Sequence, residues 1–199
     1  CLVNTVVVKT DLMTDSFPSV WLSLTSSSGC KLLCAFYYRL WKDEVSSTSL
    51  ADQTSRLDEF LYQIEKATTF CKHVVLMGDA NLDTSRCDDP EYQLKSIADH
   101  YRIRISSLGL KQLPLGTSFV SNKRNLDGSI SSSKIDHIHS SAPNKVIDYG
   151  LTSVGFSDHD CATARISFYA KKEKTSSGSS AVLFTSRNYT KLNKDEFLS

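Results

Sequence analysis

The sequence predicts an α/β fold built from mixed sheets with helices packed on their outer faces. Three observations carry that prediction. Short apolar, β-branched runs stand near the start. One long segment with helical period follows them. A buried-looking strand comes directly after it, and further strand-like runs close the chain. The 199 residues are the length of one domain with a sizeable core. Hydrophobic content of 40% and charged content of 23% are ordinary for a globular domain. The net charge of +1 excludes the global basic field of a pure nucleic-acid binder. An anionic partner must therefore be met locally or with help from metal ions. No apolar run approaches the roughly 20 residues that span a bilayer, so no membrane partner is expected. No charged start leads into a signal-peptide core.

In chain order, "TVVVK" at 5–9 and "SVWLSL" at 19–24 read as strands, and "SSSG" at 26–29 as a hairpin-type turn. "CKLLCAFYYRL" is a near-continuous apolar strand, hence one buried on both faces. From residue 49 to about 70 the period changes. Leu57, Phe60, Leu61 and Ile64 fall at i, i+3, i+4 and i+7 with charged residues between them, the pattern of an amphipathic helix. "HVVLMG" is a short buried strand, and a weaker helix spans about 92–103. Strands resume at 134–140, 145–150 and 161–169. The expected domain covers 1–170. Residues 171–187, "KKEKTSSGSSA" onward, are Ser/Gly-rich and read as a flexible linker, in which Lys171, Lys172 and Lys174 are solvated rather than a binding patch. Residues 188–199 read as the start of a following helix.

Six cysteines show no C-x-x-C pair and no zinc-finger spacing, which points to free thiols in a reducing compartment. Cys30 and Cys34 fall on one face of a strand, as small buried hydrophobes do. The chain starts with Cys1 rather than Met and ends in an interrupted helical pattern, so both ends are expected to be cut from a longer polypeptide.

Three loops at strand ends hold the polar residues that matter. Asp79 and Asn81 follow the buried strand "HVVLMG", behind Gly78, which lets backbone approach closely. Residues i and i+2 of extended chain point the same way. A carboxylate and a carboxamide would converge, one to bind a hard cation or take a proton from water, the other to meet a phosphate oxygen. The alternative is an Asx-type turn in which both bond their own backbone. In "KIDHIHSS", Asp136 interrupts an apolar pattern, and a buried lone carboxylate demands a partner. His137 and His139 lie two apart, either a metal pair or an exposed or merely packed pair. In "GFSDHDC", Asp158 and His159 precede a strong strand, as acid–base groups or as a polar turn.

The order G-D-x-N, I-D-x-I, S-D-H, each at a strand end, resembles the endonuclease/exonuclease/phosphatase superfamily, the fold of deoxyribonuclease I and the apurinic endonucleases. More narrowly, "LLCAFYYRL", "SVWLSL" and "TSRNYTKLNKDEFLS" resemble segments of the endonuclease domain in LINE-type (non-LTR) retrotransposon polyproteins and of its link to the reverse transcriptase. The resemblance runs over 3–199. It implies a two-sheet, four-layer α/β sandwich lacking its first strands, and a Mg²⁺- (or Mn²⁺-) dependent enzyme that nicks DNA by in-line attack of water. It implies that Asp79 orients and deprotonates the water and that Asn81 fixes the water or phosphate. His159 contacts the phosphate with Asp136 holding its imidazole, Asp158 lies near the metal, and Tyr38 bonds a phosphate oxygen. Thr117 matches a DNA-contacting loop. Lys123 and Arg124 belong to a polar loop at 120–134 that either contacts DNA or is solvated. A reverse transcriptase in the same polypeptide and a nuclear location are implied likewise.

The sequence departs from this pattern in three places. The family's Y-R-P-P reads "YRLW", with Leu40 and Trp41 for the prolines. Ala80 replaces an aromatic residue. The early Asn- and Glu-bearing strands are absent, so a weak Mg²⁺ site and little activity in this fragment are expected. A non-catalytic remnant with residual nucleic-acid binding, or a phosphatase of the same superfamily, are the alternatives. The many acids over 79–99 disfavour a highly anionic small substrate.

Overall fold

The computed structural model describes residues 3–40 and 49–167. The expected linker, its lysines and the following helix lie outside the described residues, as does Trp41. Strands β1 (Val3–Val8), β2 (Ser19–Ser26) and β3 (Lys31–Tyr38) form an antiparallel meander. Gly29, with φ of +75°, supplies the left-handed residue of the β2–β3 turn. Helix α1 (Leu50–Phe70) then crosses over, and β4 (Val74–Asp79) returns parallel to β3. Helix α2 (Lys95–Ser107) leads to β5 (Lys111–Gln112). The hairpin β6 (Phe119–Arg124) and β7 (Ile130–Ser133) precedes β8 (Asp136–Ser140), and β9 (Val146–Thr152) pairs with β10 (Cys161–Ile166). The main sheet has the order β1-β2-β3-β4-β8-β5.

Each helix boundary has a local cause. Ser49 caps α1 in a capping box: its hydroxyl accepts from Asp52 N at 3.1 Å, while Asp52 Oδ2 accepts from Ser49 N at 3.3 Å. Leu57, Phe60, Leu61 and Ile64 are buried as the periodicity requires. Helix α2 starts later and ends later than its weak pattern predicts. Residues 89–95 turn on themselves, with Tyr92 N donating to Asp89 O and Lys95 N to Tyr92 O. The helix continues until Gly109, with φ of +78°, closes it. There Gly109 N donates to Ser106 O at 3.0 Å and Leu110 N to Ile105 O at 3.3 Å, a Schellman ending.

One core lies between the sheet and the two helices, centred on Trp21, Phe60, Leu76 and Tyr101. A second, smaller core lies on the opposite sheet face, where Cys34, Val75 and Ile138 pack against β9–β10. The described layers are therefore helices, a six-stranded sheet and a two-stranded sheet. Strand β4 carries apolar residues into both cores, which explains its unbroken apolar run. Strand β3 does so only in part: Phe36 and Tyr38 remain about half exposed, correcting the expectation of burial on both faces. A groove of about 230 Å³ runs between Leu22, Phe36 and Met77 on one wall and Ala164 and Ile166 on the other. The expected polar loop at 120–134 is the β6–β7 hairpin, turning at Gly128. Among the described residues the cysteines from Cys30 to Cys161 are free, and no helix is long and apolar enough to cross a membrane.

Candidate active site

The site begins with strand register. Asp79 is the last residue of β4 and Asp136 the first of β8, and the two stand directly opposite in the antiparallel pair. On the other side of β4, Tyr38 aligns with Asp79 in the parallel pair. Directly paired residues project from the same face. Tyr38, Asp79 and Asp136 therefore form one row across three strand ends. Gly78 makes the approach of β4 to β3 possible, since a Cβ there would lie 1.9 Å from Tyr37 O.

The loop before β10 brings the third group. Its backbone is fastened to β6: Val120 N donates to Asp158 O at 3.0 Å, and Asp160 N donates to Ser118 O at 2.7 Å. The ring of Phe119 lies 5.0 Å from that of His159, centroid to centroid. His159 Nδ1 then meets Asp136 Oδ2 at 2.9 Å. This is the partner that the lone-carboxylate argument demanded. Ligand atoms of Asp79, Asp136 and His159 all lie within 4.8 Å of one another, the one group of three among the described residues that could hold a metal ion.

Electrostatics follow from this crowding. Burial pushes the Asp79 carboxyl up to about 6. The charge of Asp136 adds to that, while the bond from Asn81 N, the His159 ring and Arg39 oppose it. For His159 burial pulls the pKa down. The hydrogen bond and charge of Asp136 outweigh it, helped by Asp79 and Asp158, so the imidazole sits above its usual value. Its Nδ1 is engaged, which leaves Nε2 to meet a ligand. The arrangement offers a carboxylate able to accept a proton near neutrality, a readily charged imidazole and two hard oxygen donors.

The 79–81 turn is both an Asx turn and part of the site. Asp79 Oδ1 accepts from Asn81 N at 2.7 Å, and Asn81 adopts a φ of +47°, which asparagine tolerates. The carboxamide of Asn81 braces the loop, donating from Nδ2 to Arg39 O at 2.8 Å. Arg39, unremarked in the sequence, answers it. Its buried guanidinium donates from Nη1 to Ala80 O at 3.3 Å and Asn81 O at 3.1 Å, and from Nη2 to Gln53 Oε1 at 2.7 Å. Its signal was a cation placed at the end of an apolar strand. Ser118 was missed as well. Its buried hydroxyl accepts from Asp136 N at 3.0 Å, so one residue holds both the aspartate strand and the histidine loop.

Other sequence candidates fall elsewhere. Asp158 is exposed and outside the cluster of three, acting on His159 through its charge. Thr117 is exposed next to Ser118, and Lys123 and Arg124 are exposed on β6. His137 and His139 are buried against Tyr101, with ring centroids 5.7 and 5.6 Å from it. Burial holds both below the usual histidine value, so they pack as neutral rings.

No protein-family model and no curated protein matches the sequence. Solved structures do match the fold. The 3′ phosphatase NExo from Neisseria, bound to product DNA hairpin, superposes with a TM-score of 0.59 at 17% identity, over 84% of this chain and 72% of that one. The 3′-5′ exonuclease NExo from Neisseria meningitidis gives 0.56 at 18% identity, over 74% and 65%. An AP endonuclease from Archaeoglobus fulgidus gives 0.54 at 15% identity, over 73% and 64%. The chain thus spans between 64% and 72% of the length of these structures.

Proposed function

We propose that this chain, which has the deoxyribonuclease I-like fold, is a metal-assisted phosphodiesterase domain that nicks DNA. The observation that carries the reading is the convergence of Asp79, Asp136 and His159 from three separated segments. Asp79 orients a water and takes its proton, from the end of β4 where it faces Asp136. His159, held by Asp136, turns Nε2 toward a phosphate oxygen and balances the charge that builds there. Tyr38 stands in the same row and supplies a hydroxyl to the phosphate. Arg39 and Asn81 keep the turn that aims Asp79.

The donor set fits a divalent cation of the Mg²⁺ or Mn²⁺ kind, since two carboxylates are hard oxygen ligands and such ions keep several waters. Asp79 and Asp136 would hold it, with Asp158 nearby. The ion would polarise the phosphate and lower the barrier to attack by water. DNA contact falls to the β6–β7 hairpin, which carries Lys123 and Arg124 beside a fully exposed Leu126. One of the structures of like fold is described bound to a product DNA hairpin, and two others are named as an exonuclease and an AP endonuclease, which supports this substrate class. The motif resemblance further supports placement in a LINE-type polyprotein with a reverse transcriptase, acting in the nucleus. The coding sequence around this segment tests that context.

Plasmid nicking tests the activity. Supercoiled DNA should be relaxed slowly with Mg²⁺ or Mn²⁺, in keeping with a weak metal site, and not with chelator. Asp79→Asn and His159→Ala should each lower the rate by about 10²-fold or more. Nicking that survives both substitutions would show a contaminant or another site at work. DNA binding without any nicking would favour the non-catalytic remnant.

A further inference from the structure

We propose that the cleft beside Asp136 is a subsite for the nucleotide adjoining the scissile phosphate, an inference that rests on the phosphodiesterase reading above. The cleft measures about 330 Å³ and opens between the 84–86 turn, the 112–115 segment and the start of β8. Ligand pockets run from roughly 300 to 1,000 Å³, so this one suits a single nucleotide. Asp136 lines it and also binds His159, so the cleft and the metal-competent cluster share a wall.

Those walls are fixed by groups the hydrolytic scheme does not use. Asp83 is a buried carboxylate. It accepts from Ser85 N at 3.0 Å, from Ser85 Oγ at 2.5 Å and, across to the sheet end, from Lys134 N at 3.1 Å. These bonds fasten the turn after Asn81 to the residue two before Asp136. Thr84 Oγ1 donates to Gln112 Oε1 at 3.1 Å, tying the same turn to β5 and leaving the Gln112 amide nitrogen as a donor.

The lining divides by chemistry. Pro114 and the half-buried Leu115 form an apolar ledge, backed by the buried Leu113. Lys134 contributes an ammonium that has no ion-pair partner among the described residues, whereas Arg102 in the same lining is paired with Asp99 at 2.8 Å. The carboxylate in the lining, Asp136, is already engaged by His159. An apolar ledge, an amide donor and one unpaired cation fit a base and sugar with a flanking phosphate, the ledge taking apolar contact and Lys134 the charge.

Three chromogenic diesters test this. Bis(p-nitrophenyl) phosphate carries no nucleoside. The p-nitrophenyl esters of thymidine 5′-phosphate and thymidine 3′-phosphate place one on either side of the scissile phosphate. One thymidine ester should have a lower KM than the bis ester. Lys134→Ala and Gln112→Ala should raise that KM, Lys134→Ala by about tenfold, with kcat and the bis ester unchanged. Equal changes for all three substrates, or no change for either thymidine ester, would overturn the subsite and leave the hydrolytic reading intact. If the bis ester is not cleaved, the hydrolytic reading fails first and binding decides the subsite. Thymidine 5′- and 3′-monophosphate are then titrated against ¹⁵N-labelled protein. The Gln112 side-chain amide resonance should move, and about tenfold more ligand should be needed in Lys134→Ala; a resonance that stays still for both ligands would overturn the subsite.

Discussion

Asp136 sits at the centre of the residue-scale chemistry, because it faces one acid and one base. Its carboxylate bonds His159 and lies opposite Asp79, so removing its charge moves both neighbours. In metal-free protein, Asp136→Asn should lower the titration midpoint of His159, read from its imidazole proton resonances in chelator, and also bring Asp79 down from about 6. The sign for stability follows. A histidine raised in the folded state adds stability below its unfolded value near 6.5, and that contribution fades as pH rises through the folded value. The parent should therefore exceed the variant most in mild acid, with the gap narrowing toward alkaline pH. An unmoved His159 midpoint would mean the contact does not exist in solution. At this scale the sequence was legible where a residue violated its local pattern. Asp136 broke an apolar strand, and that violation pointed to a partner. Ser118 broke nothing visible, and Arg39 stood as a cation at the end of an apolar strand with no sign of what it would bind. Their partners lie up to 42 residues away, and only the folded chain brings those carbonyls and amides within reach. For His137 and His139 the sequence left a metal pair or an exposed or merely packed pair open, and the strand turns both into the helix-side core as packed rings.

Among the elements, β4 and the β6–β7 hairpin carry the most testable claims. Gly78→Ala would place a methyl against Tyr37 O, a backbone atom that cannot rotate away. Chemical denaturation should show a loss of about 3 kcal/mol, with the β3–β4 pairing displaced. For the hairpin, Lys123→Ala combined with Arg124→Ala should weaken DNA binding evenly across sequences. It should also flatten the slope of log affinity against log salt by about 2, with little loss of thermal stability, since both side chains are exposed and only the bond from Arg124 Nη1 to Gly128 O at 2.9 Å is given up. The strongly periodic α1 and the unbroken apolar run of β4 could be read directly. The hairpin could not, since Ser, Asn, Lys and Arg occupy both of its faces and leave no alternation to detect. Its Asp127-Gly128 turn was the available sign. The late end of α2 likewise had a sign in Gly109.

At the scale of the whole molecule, the described residues cover the sheet unevenly. The helix face is sealed, while the opposite face is covered in part by β9–β10 and keeps a groove flanked by the half-exposed Val20 and Phe36. A dye that fluoresces on apolar surfaces should bind this chain, and Phe36→Ser should reduce the signal by roughly half or more without lowering the melting temperature, since the side chain is only half-buried. An unchanged signal would place the dye elsewhere. The row formed by Tyr38, Asp79 and Asp136 has its own consequence for inheritance. It depends on strand alignment rather than on any one bond, and alignment in a sheet has a period of two. Adding or losing one codon at the start of β8 would set Ile135 or His137 against Asp79. The chain could still pair its backbone, yet the row would be broken, so the proposed site is more sensitive to a change of length than the strands that carry it.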